Sequence, residues 1–208
     1  MVKGSLIDRV YTDVKAELTR RSLLPGQRID LADMCERHRT SASPMRNALN
    51  RLVGEGLIEA HAHDGFYIPR VTEKSLHDLF SWNERILLLA LEDLSADALA
   101  STPPAEHEDT AIDTEIVFSG LAALSGNQEV TRAVHQVNDR LRSLRSLPST
   151  SLLPTGGELS DLRGAWLSGD RKHLADLLRD YHARRLAVLP HLIALAYTAP
   201  LATSAGPT

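Results

Sequence analysis

The sequence of 208 residues contains one cysteine, Cys35, and few aromatic residues, which make up 4% of the chain. A single cysteine excludes an intrachain disulfide framework and a zinc site built from several cysteines. Few aromatic residues, together with abundant Leu and Ala, favour helices over a β-sandwich. No apolar run reaches the roughly 18 residues that a membrane-spanning helix needs. The N-terminus also lacks an apolar signal segment, so the sequence predicts a cytoplasmic protein without a membrane partner.

Sequence motifs of the common enzyme classes are missing as well. The chain has no G-x-S-x-G, Walker loop, G-x-G-x-x-G or H-E-x-x-H, so we expect it not to be an enzyme. The net charge is -4, but residues 1–72 carry a formal charge of +2 and residues 73–208 carry -6. This asymmetry favours two modules with different partners, although chance also produces a split of this size.

The first third of the chain begins with the pattern of an amphipathic helix. Four apolar residues recur at every fourth position with charged residues between them: Leu6, Val10, Val14 and Leu18. We expect this helix to extend to Leu24, where Pro25-Gly26 ends it. A short second helix is predicted around Met34, with Asp30 as its N-cap.

A third helix and a β-hairpin follow. Ser43-Pro44 predicts a helix start, with Ser as N-cap and Pro at the first helical position. Two short β-prone runs, 57–61 and 66–69, flank Asp64-Gly65, which is a hairpin signal. This order of elements is that of a winged helix-turn-helix domain, which we expect over residues 1–72.

The rest of the chain has helical patterns and no convincing strand. Helices are predicted over 76–99, 109–124, 128–147, 159–167 and 170–196, the last with a kink at Pro190. A linker rich in Ser, Thr, Pro and Gly is predicted at 148–157, and a disordered tail at 199–208. The predicted fold class is therefore mainly α: an N-terminal winged helix-turn-helix followed, over residues 75–198, by an antiparallel all-α helical bundle.

The third helix carries polar residues suited to reading DNA. In a helix-turn-helix the second helix of the motif enters the major groove, where Arg46 can bond guanine and Asn47 or Asn50 can bond adenine. Ser41 and Ser43 suit phosphate oxygens. The alternative, an ordinary solvated helix face, is less favoured because a hairpin follows directly. The predicted DNA-binding residues are Ser41, Ser43, Arg46, Asn47, Asn50, Arg51, His61, His63 and Gly65.

Four segments together resemble the GntR family of bacterial transcription regulators. They are Leu24–Ile29 (LPGQRI), Ser41–Leu52 (SASPMRNALNRL), Glu55–Ile58 (EGLI) and Gly65–Ile68 (GFYI). The family pattern is roughly P-G-x-R-L, S-R-T-P-V-R-E-A-L-x-x-L, E-G-L-V and G-x-x-V. Two positions depart from it: Ala42 replaces an Arg, which removes a basic contact, and Asn47 replaces a Glu, which adds hydrogen-bond donors.

The helical part resembles the FadR-like (FCD) subfamily, in which a bundle binds a small effector, often a carboxylate, and commonly a divalent metal. The subfamily's metal pattern is incomplete here, because Ser119 and Leu159 stand where it has His, leaving Glu115 and His182. We therefore predict no metal and no other cofactor. The effector-binding residues that the resemblance implies are Arg85, Glu115, Ser119, Arg142 and His182. Arg85 and Arg142 could equally be surface charges, and His182 could be a structural residue.

These observations predict a homodimeric transcriptional regulator whose affinity for an operator in double-stranded DNA is controlled by a small effector. The family resemblance favours a repressor, with an activator as the alternative. Two further alternatives stay open. One is a winged-helix protein-interaction module without specific DNA binding. The other is a metal-dependent sensor of the subfamily's usual type.

Overall fold

The computed structural model describes residues 6–62, 64–92, 94, 99, 101–147 and 157–201. Three sequence predictions therefore lie outside the described residues: the one for His63, nearly all of the predicted linker, and residues 202–208 of the predicted tail. The chain divides into two compact units, residues 1–71 with 196–208 and residues 72–195. The described helices contain no segment long and apolar enough to cross a membrane.

The first unit has the predicted winged helix-turn-helix order. Its elements are α1 (Leu6–Thr19), α2 (Leu31–Arg37), α3 (Ala42–Gly54), β1 (Glu59–His61) and β2 (Gly65–Tyr67). Both α1 and α2 pack against α3, and the two strands are antiparallel, with Ala60 opposite Phe66. The core is apolar and includes Val10, Val14, Met34, Met45, Leu49, Leu52 and Ile58.

The boundaries of the first three helices correct the sequence predictions in part. Asp30 is the N-cap of α2 as predicted, because its Oδ1 accepts from the backbone N–H of Ala32 at 2.8 Å. In contrast, α3 begins at Ala42 with Ser41 as N-cap, two residues earlier than predicted. Pro44 fits inside the first turn because N–H groups there have no acceptor within the helix.

The first helix is also shorter than predicted. It ends at Thr19 rather than at Leu24, and Arg21 adopts a left-handed backbone conformation with φ of 63°. The buried Arg21 guanidinium donates to the carbonyl oxygens of Ala196 at 2.9 Å and Pro200 at 2.6 Å. The chain therefore leaves the helical path so that this side chain can satisfy carbonyl groups at a helix C-terminus.

The second unit is helical. Its helices are α4 (Glu73–Glu92), α5 (Thr110–Leu124), α6 (Gln128–Arg145), α7 (Glu158–Leu167) and α8 (Arg171–Ala187), and α9 (Leu189–Thr198) begins in it. Helix α4 packs against α5, α6 and α8, and α7 packs against α8 and α5. Phe118, Leu121, Leu141 and Trp166 are among its fully buried side chains. The mainly helical fold class is thus confirmed.

Two helix predictions in this unit were wrong in extent. Helix α4 ends at Glu92 rather than at Leu99. The predicted last helix is two helices, which are separated at Val188. Pro190 lies in the first turn of α9, where its missing N–H removes no helical hydrogen bond, so the proline marks a new helix rather than a kink.

Candidate nucleic-acid interface and effector site

Helix α3 separates its residues into a buried and an exposed face. Met45, Ala48, Leu49 and Leu52 are fully buried against α1 and α2. The opposite face is exposed and carries Ser43, Arg46, Asn47, Asn50 and Arg51. Their spacing of three or four residues aligns them in one stripe along the helix. The structure therefore brings the predicted DNA-binding residues of α3 together on one accessible surface.

The two arginines of this face differ in how they are held. Arg51 donates from Nη1 to Asp8 Oδ1 at 3.0 Å, and its guanidinium lies 3.8 Å from the centre of the Tyr11 ring. Arg46 is exposed, and within the described part of the chain it forms no ion pair. Arg46 is thus free to extend to a base edge, whereas Arg51 is held back against α1.

Polar contacts from α1 fix both ends of the helix-turn-helix. Tyr11 donates to Glu55 Oε1 at 2.5 Å and Lys15 to Glu55 Oε2 at 2.8 Å, just beyond the C-terminus of α3. Burial, followed by the hydrogen bond to Glu55, raises the pKa of Tyr11, so its hydroxyl stays a donor. At the other end, Glu17 binds Arg37 and, at 2.7 Å, His38, where α2 ends.

The carboxylate of Glu17 is ionised in spite of its position. Burial alone raises its pKa, but hydrogen bonds from His38 and Arg37 outweigh burial and lower it. The same group therefore anchors α2 and the turn before α3 through charge-assisted hydrogen bonds. These contacts join the C-terminal end of α2 to α1.

The hairpin presents a second exposed surface. The His61 ring stacks on Tyr67 with 4.6 Å between ring centres, and Tyr67 donates to Asp64 Oδ2 at 2.7 Å. Gly65 has φ of 111°, a conformation that other residues rarely adopt. His61 and Gly65 therefore lie on a wing whose shape is fixed by ring stacking and by the backbone of glycine.

Sequence reasoning missed two exposed arginines of this unit. Arg39 lies in the turn between α2 and α3 with φ of 48°. Arg28 lies beside the wing, where its Nη2 is 4.0 Å from Asp64 Oδ1. A basic residue placed two positions before the N-cap of a DNA-reading helix was a visible signal, since such turns lie close to phosphates.

The predicted effector-binding residues are brought together only in part. Glu115 is buried and accepts two hydrogen bonds from Arg142, the one from Nε at 2.8 Å. Ser119, one turn further along α5, accepts from Asn138 Nδ2 at 3.2 Å. Arg85 is exposed, while Asn83, Ile86 and other residues of the buried face of α4 point inward. Arg85 is therefore not part of this group, because its helical phase places it outside the apolar stripe.

His182 is a neutral, fully buried group. Its Nδ1 lies 2.7 Å from the carbonyl oxygen of Leu178, and its ring is packed against Phe118 and Tyr181. Burial lowers its pKa to about 3, with the positive charges of Arg145 and Arg185 acting in the same direction. A carbonyl oxygen only accepts hydrogen bonds, so Nδ1 carries the proton and Nε2 presents a lone pair.

Two carboxylates lie in the segments that resemble the subfamily's metal pattern, and both are paired with arginines. Glu115 binds Arg142, and Glu158 binds both Arg184 and Arg185, with 2.7 Å to Arg185 Nη2. Among the described residues, no three His, Cys, Asp or Glu side chains are grouped so as to hold a metal ion. The absence of a metal from this protein stays a prediction.

The first unit has the arrangement of elements found in DNA-binding domains: a helix-turn-helix whose second helix exposes a polar face, followed by a β-hairpin wing. Residues 6–68 match the family model described as "Bacterial regulatory proteins, gntR family". These residues are a DNA-binding helix-turn-helix domain of the GntR family of transcriptional regulators, as the sequence motifs predicted.

Relatives and solved structures extend the likeness beyond this domain. The chain is 28% identical over 136 residues to the Nta operon transcriptional regulator of Aminobacter aminovorans, covering 58% of this chain and 64% of that protein. It is 27% identical over 157 residues to the HTH-type transcriptional regulator YdhC of Bacillus subtilis, covering 67% and 70%. The matches are to transcriptional regulators and not to enzymes.

Two solved structures resemble the chain over most of its length. A chain described as transcriptional regulator GntR from Rhodococcus sp. RHA1 has a TM-score of 0.73 at 15% identity, covering 90% of this chain and 98% of that one. McbR/YncC of E. coli has a TM-score of 0.67 at 20% identity, covering 92% and 99%. At these identities the likeness establishes the fold, including that of the helical unit.

Proposed function

We propose that this chain is a homodimeric, effector-controlled regulator of transcription. Residues 1–72 bind an operator, and residues 75–198 bind a small molecule and pair two copies of the chain. The observation that carries the proposal is the exposed stripe of α3, with Arg46 unpaired among the described residues, in a GntR-family domain. Access to operator DNA implies a cytoplasmic location.

Base recognition falls to the first two turns of α3. Arg46 offers a guanidinium that matches O6 and N7 of guanine, and Asn47 and Asn50 offer amides that match N6 and N7 of adenine. Ser41 and Ser43, at the helix N-terminus, suit phosphate oxygens. Arg28 and Arg39 add positive charge that binds phosphates without reading sequence.

Pairing of two copies is supported by α4. Trp82 and Leu89 are seven residues apart, so they lie on one face, and they are 49% and 46% exposed. Large exposed apolar side chains on one face are typical of an interface. A two-fold dimer presents two copies of α3 to an operator with two symmetric half-sites.

Effector control requires a ligand that binds the DNA-competent and DNA-incompetent states with different affinity. The buried polar groups of α5, α6 and α8 support a small, anionic effector in the helical unit. The resemblance to FadR-like regulators favours repression that the ligand relieves. Because Glu115 and Glu158 are paired with arginines, we propose that this control is independent of a metal.

Selection from a random pool of DNA duplexes tests this function. The full-length chain is incubated with the pool at near-physiological salt, bound duplexes are recovered and amplified, and a selection without protein is the control. We expect enrichment of an inverted repeat with half-site centres about 10 bp, or a multiple of it, apart. If no sequence is enriched over the control, the proposal is wrong, and a protein-interaction module explains the winged helix better.

A further inference from the structure

Arg51 differs from the other exposed arginines named above for the helix-turn-helix and the wing. It donates from Nη1 to Asp8 Oδ1 at 3.0 Å. Among the described residues, Arg39 and Arg46 form no ion pair, and Arg28 reaches a carboxylate oxygen only at 4.0 Å, which is beyond hydrogen-bond distance. Of these four exposed side chains, Arg51 is therefore the one that a carboxylate of the chain itself holds.

The ring of Tyr11 holds the same guanidinium from one face. The ring centre lies 3.8 Å from Cζ of Arg51, a distance typical of a cation–π contact. Tyr11 is itself fixed, because its hydroxyl donates to Glu55 at 2.5 Å and accepts from Lys15 Nζ at 3.2 Å. A carboxylate and an anchored ring therefore act together to keep Arg51 against α1.

The position of Arg51 along α3 suits a phosphate better than a base. Arg51 lies in the last turn of the helix, about 12 Å along the helix axis from Ser43. In a helix-turn-helix the N-terminal residues of the second helix reach base edges. Arg51 shares the exposed side of α3 with Asn47, four residues earlier, but it lies at the opposite end from the residues that read bases. Its charge is therefore placed to bind the DNA backbone.

The contacts with α1 oppose binding of a phosphate by Arg51 in two ways. To reach DNA, the guanidinium must give up both the carboxylate of Asp8 and the ring of Tyr11. The negative charge of Asp8 would also repel a phosphate that approached this end of α3. The ion pair alone is a weak surface contact, since the side chains of Arg51 and Asp8 are 43% and 58% exposed. The ring contact strengthens it without covering the pair from solvent.

We propose that Asp8 is a positioning residue that holds Arg51 away from the phosphate backbone and thereby lowers the affinity of the chain for DNA of any sequence. Phosphate contacts supply nearly all of the binding to non-specific DNA, so one contact fewer shortens the time spent on sites without the operator sequence. The proposal rests on the proposed DNA binding. It gives Arg51, which the sequence placed among the DNA-binding residues, a contact within the chain instead.

The affinity of Asp8→Asn for DNA tests the role of Asp8. Full-length native and variant chains are titrated by fluorescence anisotropy against the duplex obtained by selection and a scrambled version of it, over about 50 to 200 mM KCl. We expect the variant to bind both duplexes about threefold to tenfold more tightly near 0.1 M salt, because Arg51 gains a phosphate contact. The plot of log affinity against log salt concentration should steepen by about 0.9 for each copy of the chain bound. Unchanged or weaker binding of both duplexes overturns the proposal.

Two controls separate release of Arg51 from simple loss of a negative charge. Asp13→Asn removes another exposed carboxylate of α1, about 140° around the helix from Asp8, and should change the affinity by less than about twofold. Asp8→Asn is also made in an Arg51→Gln chain, where its effect on affinity should be at least about threefold smaller and its effect on the salt dependence should vanish. Circular dichroism establishes that each variant is folded. An equal gain with and without Arg51 shows that Asp8 acts through its charge alone and overturns the proposal.

Comparison of the two duplexes separates this inference from the proposed function. If the native chain prefers the selected duplex but Asp8→Asn gains no affinity, DNA binding stands and the role of Asp8 is wrong. If Asp8→Asn gains affinity for the selected duplex alone, Arg51 reads bases, and the proposal is again overturned. If no chain binds either duplex at any salt concentration, the proposed function is wrong and this inference falls with it.

Discussion

The imidazole of His182 is held neutral by its surroundings. Burial is the main cause of its low pKa of about 3, and the arginines Arg145 and Arg185 add to it, while the hydrogen bond to Leu178 opposes them. In the unfolded chain the same group has an ordinary pKa near 6.5. Between these two values the unfolded chain binds a proton that the folded chain does not bind.

This difference predicts acid sensitivity of the helical unit. Its contribution to stability is fully present above pH 6.5 and is lost as the pH falls toward 3. At pH 5 the free energy of unfolding should have decreased by about 2 kcal/mol from this group alone. Urea unfolding followed by circular dichroism from pH 7.5 to 5 measures the decrease.

Two variants serve this measurement. His182→Gln should remove most of the pH dependence, whereas His173→Gln, which changes an exposed histidine on the same helix, should retain it. ¹⁵N NMR of the native imidazoles gives an independent result: His182 should stay neutral, with the proton on Nδ1, down to pH 5. Protonation of His182 near pH 6 would contradict the account.

Residue types were easier to predict than residue partners. The sequence pointed to His182, which is buried, and to two arginines of the bundle, of which Arg142 is half-buried and Arg85 is exposed. It did not distinguish Arg142, which is paired with Glu115, from Arg145, whose Nε and Nη2 have no partner among the described residues, because both recur at the same helical phase. Pairing depends on a partner from another helix, and spacing along one helix carries no information about it.

At the scale of elements, α4 divides its residues between two environments. Its buried face contacts α5, α6 and α8, while Trp82, Arg85 and Leu89 are exposed. Arg85 therefore fits an intermolecular surface better than the interior site that the sequence resemblance implied. In the proposed dimer, the exposed Trp82 and Leu89 would be the apolar part of that surface.

Replacing this apolar pair should weaken the proposed dimer. The double variant Trp82→Ser, Leu89→Ser removes two large apolar side chains, and the loss of buried area should raise the dissociation constant by at least tenfold. Analytical ultracentrifugation over a concentration series measures it. Leu167→Ser, which changes a leucine that is 58% exposed on α7, is the matched control and should dimerise like the native chain. If the double variant dimerises normally, the interface lies elsewhere.

Helix type and order were predictable, but boundaries were not. Periodicity and capping residues identified α2, α3 and the helices after residue 109, since these depend on local sequence. The early end of α1 depends on Arg21, whose partners are 175 and 179 residues away. The break before α9 was expected as a kink, because a proline pattern alone does not distinguish a bend from a new helix start.

For the whole molecule, the uneven charge matches the division into two units. The N-terminal residues 1–72 carry +2, which favours association with DNA, and the acidic remainder carries -6. The C-terminal residues from Ala196 onward belong to the first unit, through the hydrogen bonds of Arg21 and those between Tyr197 and Val71. This return of the chain could not be predicted, because no local sequence pattern encodes contacts between residues so far apart along the chain.

In the proposed function, the exposed face of α3 reads DNA. The most direct test is the affinity of Arg46→Ala for the duplex obtained by selection, measured by fluorescence anisotropy. The same measurement on single base-pair variants of that duplex gives the sequence preference. Loss of a bidentate contact to guanine should weaken binding by about 10- to 100-fold and relax the preference at one position of each half-site. Arg20→Ala, an exposed arginine outside α2, α3 and the wing, should bind within about twofold of the native chain. Equal affinity and equal sequence preference of Arg46→Ala and the native chain would contradict the account.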